Sequence, residues 1–350
     1  MCTAISYKTN DHYFGRNLDL EYSYEESVVI TPRYYPFKFR KEREFPKHYA
    51  IIGVAYVEQD YPLYYDATNE KGLSMASLSF PGNAVYKCEQ DDKYNIAPFE
   101  IIPWVLGQCR DVKEARHLLE KTNMIKLAYN KELPLTALHF MVSDKYETIV
   151  VEPMEDGLHI YENPVKVLAS NPVFPYHLHH LNDYMYLTKK EPVNHFAKEL
   201  LLETYSRGMG AMGLPGDLSS ASRFVRAAFT KWNSLDGETE EENVSQFFHI
   251  LGSVDQQRGC VQVENGEYEY TIYSTCCNTD KGIFYYKTYY ISQITAVDMH
   301  REKLDGRELR KYTLLKEANV FRQNKMAGSL NYKMLYGANR FVKTSFRPRF

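Results

Sequence analysis

The first twenty residues constrain this chain more than any other segment. It opens Met1-Cys2-Thr3-Ala4, and Ile5-Ser6-Tyr7 continue a mix of polar and apolar residues with strand-forming types. Lys8-Thr9-Asn10-Asp11-His12 reads as a polar turn, and residues 13–20 read as a returning strand. Folding about Thr9 brings Arg16 roughly opposite Cys2, with Asp19 just past it, near where the chain start projects. The same segment carries chemistry. Cysteine is small enough for an aminopeptidase to remove Met1, which leaves Cys2 with a free thiol and a free α-amine. A nucleophile then stands beside its own base, each reactive close to neutral pH, and this pairing is a recognised solution to acyl transfer. The Arg16 guanidinium favours the thiolate, and the Asp19 carboxylate holds and orients the amine. The plain alternative is a surface hairpin behind an inert N-terminus. Arg16 and Asp19 are expected at a site and not in the main core, so that truncating either leaves a folded chain.

Composition narrows the class. With 350 residues, 44% hydrophobic and 25% charged, the chain can bury one large core or two smaller ones. A net charge of −3 gives no broad pull toward nucleic acid or anionic membrane. No apolar run approaches the roughly 20 residues that span a bilayer, and no charged segment followed by an apolar one opens the chain. A cytoplasmic protein without stable membrane association is expected, in a compartment that keeps its thiols reduced. Its six cysteines lack paired zinc spacing, and Cys276-Cys277 lies among β-like residues. His177, His179 and His180 stand close together, but without a carboxylate or cysteine at supporting helical spacing. The glycines of 208–213 lack the Gly-Lys-Ser/Thr of a phosphate loop. Neither metal nor cofactor is expected.

No linker or internal repeat divides the sequence. Strand patterns fall at 51–57, 137–142, 148–152, 157–161, 268–275, 282–292 and 296–299, with a hairpin turn at 153–156. Helical patterns fall at 99–109, interrupted by Pro103, at 112–121 after an Asp111 cap, at 221–232 after Ser219, and at 241–251. Strands at both ends with helices between them predict an α+β fold with antiparallel sheets. Among 30 tyrosines, Tyr22 and Tyr24 follow the hairpin, and Tyr64 and Tyr65 close the aromatic run 61–65. Both clusters read as loops. Aromatic loops over a reactive centre suit a large amphipathic substrate, although ordinary loop packing accounts for them equally.

Several blocks, taken in order, resemble the choloylglycine hydrolase family of N-terminal-nucleophile amidases, which includes bile salt hydrolases and penicillin V acylases. They are Met1-Cys2-Thr3, Phe14-Gly15-Arg16-Asn17-Leu18-Asp19, Glu21-Tyr22-Ser23 and Asp66-Ala67-Thr68-Asn69-Glu70-Lys71-Gly72-Leu73. Further along come Gly213-Leu214-Pro215-Gly216-Asp217, Ser219-Ser220-Ala221-Ser222-Arg223-Phe224, Gly282-Ile283-Phe284-Tyr285-Tyr286 and Thr295-Ala296-Val297-Asp298-Met299. The resemblance covers 2–316. Beyond it, an extension at 317–350 carries Arg322, Lys325, Lys333, Arg340, Lys343, Arg347 and Arg349 between Phe321, Tyr332, Tyr336, Phe341, Phe346 and Phe350. Packing on the protein or a neighbouring subunit, or simple disorder, accounts for this extension better than nucleic-acid or lipid binding does.

The resemblance implies a four-layer αββα sandwich and a bile salt hydrolase that cleaves glycine or taurine conjugates through a Cys2 thioester. It implies catalytic roles for Cys2, Arg16, Asp19 and Arg223, and oxyanion donors at Ser79 and within 168–172. At the second place the family asparagine aligns with Ser170, and Asn171 stands next to it. Asn171 is expected to supply the amide, with Ser170 as the alternative. Ser79 stands where bile salt hydrolases usually carry Asn and penicillin V acylases often carry Tyr, so it does not choose between the two substrates. Tyr22, Tyr24, Tyr64 and Tyr65 are expected at the substrate. No cofactor is implied, and a homotetramer is. A penicillin V or other N-acyl amine amidohydrolase, and a silent ligand-binding member, are the alternatives.

Overall fold

The computed structural model describes residues 1–318 together with Val320 and Arg322. Its contacts divide the chain into Met1–Lys316 and Glu317–Phe350. Apart from Arg322, the residues named for the basic aromatic extension lie outside the described residues, and so do the expectations placed on them.

The chain's first strand, Cys2–Lys8, returns as His12–Leu20, and this hairpin sits inside a seven-stranded antiparallel sheet. The order runs Val167–Ala169, Cys2–Lys8, His12–Leu20, Tyr268–Asn278, Ile283–Thr288, Thr295–Asp298, with Val261–Gln262 pairing Tyr268–Asn278. A second, eight-stranded sheet is also antiparallel. It runs Gly157–Glu162, Thr148–Met154, Leu138–Ser143, Ser74–Ser79, Tyr61–Asn69, Ile51–Glu58, Ser27–Thr31, Arg310–Thr313. Strand alternation divides the apolar residues between two cores. Val28, Ile30, Ile52, Val54, Ala76 and Leu78 face the first sheet and meet Ala4, Phe14 and Leu18. Val29, Ile51, Ala55, Ala67 and Met75 face the other way, onto Ile101, Val105 and Leu106.

Helices cover both outer faces. Ile101–Gln108 and Val112–Glu120 lie on the eight-stranded sheet, and Ser220–Asn233 and Glu240–Gly252 lie on the other. The result is the four-layer αββα arrangement. Local chemistry sets the helix starts. The Asp111 carboxylate accepts from the Glu114 N–H, and the Ser219 hydroxyl accepts from the Ser222 N–H. Thr239 and Glu242 form a capping box. Pro103 falls in the first turn of its helix, where its missing N–H costs no hydrogen bond.

Two expectations need correction. The run 61–65 is not a loop: Tyr64 and Tyr65 belong to strand Tyr61–Asn69, whose hairpin turns at positive-φ Gly72. The pattern at 282–292 ends at Thr288 as a strand.

Gly15 shows how tightly the central strands approach. A Cβ there would lie 2.0 Å from the Thr275 carbonyl oxygen, a backbone atom of the neighbouring strand. Gly15→Ala is therefore expected to lower the unfolding free energy by at least about 2 kcal/mol in urea denaturation. Unchanged stability would contradict this packing.

Candidate active site

The hairpin register fixes which side chains share a face. Cys2 pairs Leu18 and Ala4 pairs Arg16, so Arg16 stands opposite Ala4 and not opposite Cys2 as expected. The turn centres on Asn10, one residue later than Thr9. The register therefore shifts by two residues and parity is kept, so Arg16 remains on the Cys2 face. Asp19, an odd number of residues away, falls on the opposite face.

Arg16 is among the largest fully buried side chains. Its Nη1 donates to the Tyr65 carbonyl at 3.2 Å and to the Ser77 carbonyl, both on the facing sheet. Its Nη2 has no protein partner among the described residues. Burial alone would lower the Arg16 pKa, but Cys2, Tyr273, Asp66 and Asp19 outweigh it and hold the guanidinium above its ordinary value. Asp66 accepts hydrogen bonds from Tyr273 and Thr275, and burial raises its carboxyl to about 6 against the pull of Arg16.

On the other face Arg223 gathers the start of the chain. Its Nη1 donates to the Cys2 carbonyl at 2.9 Å, the Thr3 hydroxyl at 2.6 Å and Asp19 Oδ2 at 3.3 Å. The Thr271 hydroxyl donates to Asp19 Oδ1 at 2.7 Å. Burial raises the Asp19 pKa, opposed chiefly by Arg223. With Met1 present, its ammonium donates to the Asp19 carbonyl at 3.0 Å and pairs with Glu269 at 2.6 Å. The Cys2 N–H donates to Ser170 Oγ at 3.1 Å.

This last contact brings Ser170, and not Asn171, against the backbone of Cys2. Ser170 is buried against Cys2, whereas the Asn171 amide donates to the Pro81 carbonyl at 2.7 Å and accepts from Asn83. His177 holds the Ser170 carbonyl at 2.8 Å and stacks on Phe224, with burial lowering its pKa to about 4. Of the neighbouring histidines, His180 pairs with Asp183, and no cluster of three His, Cys, Asp or Glu fit to hold a metal occurs among the described residues. Ser79 is half-buried at the end of its strand, opposite Leu138.

A cavity of about 280 Å³ opens beside this centre. Leu20, Tyr24, Tyr64, Tyr65, Ser77, Phe99, Leu135 and Phe140 help to line it. Tyr65 and Ser77 offer the carbonyls that hold Arg16, so the guanidinium adjoins two residues of this lining. Tyr22 is exposed and outside the lining, with its hydroxyl 3.0 Å from that of Tyr24. The sequence reading missed Thr3, Asp66, Glu269 and Thr271, and placed no role on His177.

Two antiparallel sheets face to face between helical layers, with the chain start inside one of them, define the fold of the N-terminal-nucleophile hydrolases. The chain belongs to the linear amide C–N hydrolases of the choloylglycine hydrolase family, whose model matches residues 2–312. It is 55% identical over 324 residues to a bile salt hydrolase/transferase of Lactiplantibacillus plantarum, covering 93% of this chain and all of that protein. The solved structure of the C2A mutant of conjugated bile acid hydrolase from Clostridium perfringens superposes with a TM-score of 0.85 at 34% identity, covering 93% of this chain and 100% of that one. Penicillin V acylase from Agrobacterium tumefaciens shares the fold, with a TM-score of 0.70 at 18% identity over 89% of this chain and 90% of its own.

The geometry revises one more expectation. Arg16 and Asp19 are buried, and Asp19 and Arg223 form an ion pair with both side chains fully shielded. Asp19→Ala would strand the Arg223 charge, and is expected to cost about 3–5 kcal/mol of stability in chemical denaturation. A loss below about 1 kcal/mol would return the pair to the weak class of exposed salt bridges.

Proposed function

We propose that this chain is a bile salt hydrolase, cleaving the amide bond between a bile acid and glycine or taurine through a thioester on Cys2. The observation that carries the reading is the buried Cys2, with Arg16 on its own face beside an apolar cavity and Asp19, Arg223 and Ser170 around its backbone. The full-length identity to a bile salt hydrolase/transferase supports the substrate.

In this reading, loss of Met1 turns the Cys2 nitrogen into a free amine that stays beside Ser170 Oγ. The amine takes the thiol proton, and sulfur attacks the amide carbon while Arg16 offsets its negative charge. A C–S bond forms, and the carbonyl oxygen becomes an oxyanion that nearby donors must hold. Collapse breaks the C–N bond, and the amine of Cys2 returns the proton to the departing glycine or taurine. Water then attacks the thioester, giving its proton to the α-amine as the C–S bond breaks. A second amino acid in place of water would form a new amide, so acyl transfer uses the same centre. The apolar cavity suits the steroid body, and Arg223 with Thr271 holds Asp19 toward the chain start. Neither metal nor cofactor enters these steps.

No helix among the described residues is long and apolar enough to cross a membrane. A cytoplasmic homotetramer is part of the proposal. Met185, Val193, Phe196, Leu201 and Tyr205 are strongly exposed within one irregular stretch, which supports burial against further copies.

The test is release of free amino acid from glycocholate and taurocholate, with penicillin V as competitor. Conjugated bile salts should turn over and Cys2→Ala should release nothing. Faster cleavage of penicillin V, or no cleavage of either conjugate, would overturn the substrate assignment. The oxyanion loop has its own check. Ser170→Ala is expected to lower kcat at least about tenfold, and Asn171→Ala to change it less than about threefold. The reverse order would return the role to Asn171.

A further inference from the structure

A second cavity, of about 200 Å³, lies beyond the C-terminal end of helix Glu240–Gly252, beside strands Tyr268–Asn278 and Ile283–Thr288. It shares no lining residue with the apolar cavity. Asp255, Gln256, Thr271, Ser274, Lys287 and Tyr289 are among its walls. Gln256 is 0% exposed and Ser274 1% exposed. Gln256 Oε1, Gln256 Nε2 and Ser274 Oγ have no hydrogen-bond partner among the described residues. Buried amides and hydroxyls are rarely left unpaired, and each such group calls for a partner beyond the described residues.

The walls also define the chemistry of that partner. Lys287 Nζ lies 3.3 Å from Asp255 Oδ2, so both charge signs border one small space. Asp255 Oδ1 already accepts from Asn17 at 2.8 Å. The Gln256 amide adds one acceptor and donors, and Ser274 adds a hydroxyl. A simple anion would meet Asp255, and a simple cation would meet Lys287. A zwitterion satisfies both. The volume suits a molecule of a few heavy atoms and falls short of ordinary drug-sized sites.

We propose that this cavity binds a free amino acid or aminosulfonic acid, with its ammonium toward Asp255 and Gln256 Oε1 and its acidic group toward Lys287, Ser274 and Gln256 Nε2. The site connects to the active centre by two hydrogen bonds. The Gln256 N–H donates to the Thr271 hydroxyl at 2.8 Å, and that hydroxyl donates to Asp19 at 2.7 Å. An occupant that orders Gln256 therefore also orders Thr271 and Asp19. Such a ligand has the chemical class of the amine released by the hydrolysis proposed above, and only this connection rests on that reading.

The test is calorimetric or saturation-transfer titration of the full, Met1-processed chain with glycine, taurine, methylammonium and acetate. Glycine or taurine should bind saturably, and methylammonium and acetate at least about tenfold more weakly, the loss of one charge-assisted contact. Gln256→Leu and Ser274→Ala should each weaken binding about fivefold or more, and Leu135→Trp in the apolar cavity should leave it unchanged. Lys287→Met, at a half-buried position, replaces Gln256→Leu if that variant does not fold. No saturable binding by any probe would mean that only water satisfies these groups, and would overturn the proposal. So would equal binding of the singly charged probes, or loss of binding in Leu135→Trp alone. Amino acid release from glycocholate, assayed on the same samples, decides the hydrolase reading separately.

Discussion

The structure depends on two guanidinium groups held away from water beside the chain start. A buried cation is tolerable only when it is paired and hydrogen-bonded, because desolvation otherwise exceeds any gain. Arg223 meets this condition by reaching from helix Ser220–Asn233 to the Cys2 carbonyl, Thr3 and Asp19. Arg16 meets it from the other face of the sheet, with carbonyls of the facing sheet and the Asp66 carboxylate close by. The sheets and the helix that supplies Arg223 must therefore all be in place before the N-terminus has its final environment. Both arginines keep one nitrogen without a protein partner among the described residues.

The hairpin separates two tasks by the alternation of side chains. Cys2, Arg16 and Leu18 face the second sheet, where the carbonyls of Tyr65 and Ser77, two residues of the apolar cavity's lining, hold Arg16. Thr3 and Asp19 face the helices, where Arg223 and Thr271 hold them. An even shift of register preserves this division, and an odd shift would destroy it. This is why the expected pairing, displaced by two residues, still put Arg16 on the correct face.

Local features were readable from the sequence. The Asp111 and Ser219 caps and the first hairpin are set by neighbours in the chain, and the fold class followed from the order of strands and helices; Pro103, expected to interrupt its helix, instead stands in the first turn of Ile101–Gln108. What stayed hidden came from long-range register. Thr271 lies 252 residues from Asp19, and the two meet only because strand Tyr268–Asn278 pairs with His12–Leu20. Glu269 reaches the N-terminus by the same pairing. The aromatic run 61–65 read as a loop because its Tyr and Pro residues mask a strand in which only some side chains face inward. Ser170 and Asn171 could not be separated by composition, since both can donate. They differ in the direction of the loop, which points the Asn171 amide at Pro81 and Asn83.

The central claim is that Cys2, freed of Met1, carries the acyl group. The most direct measurement is rapid quenching of the processed chain with taurocholate, followed by peptide mass analysis. A second chain, whose N-terminal extension keeps a peptide bond on Cys2, is treated in the same way. The account predicts a transient bile-acyl mass on the peptide that begins with Cys2, and neither adduct nor turnover in the extended chain. An acyl group on any other residue, or equal turnover by the extended chain, would contradict it.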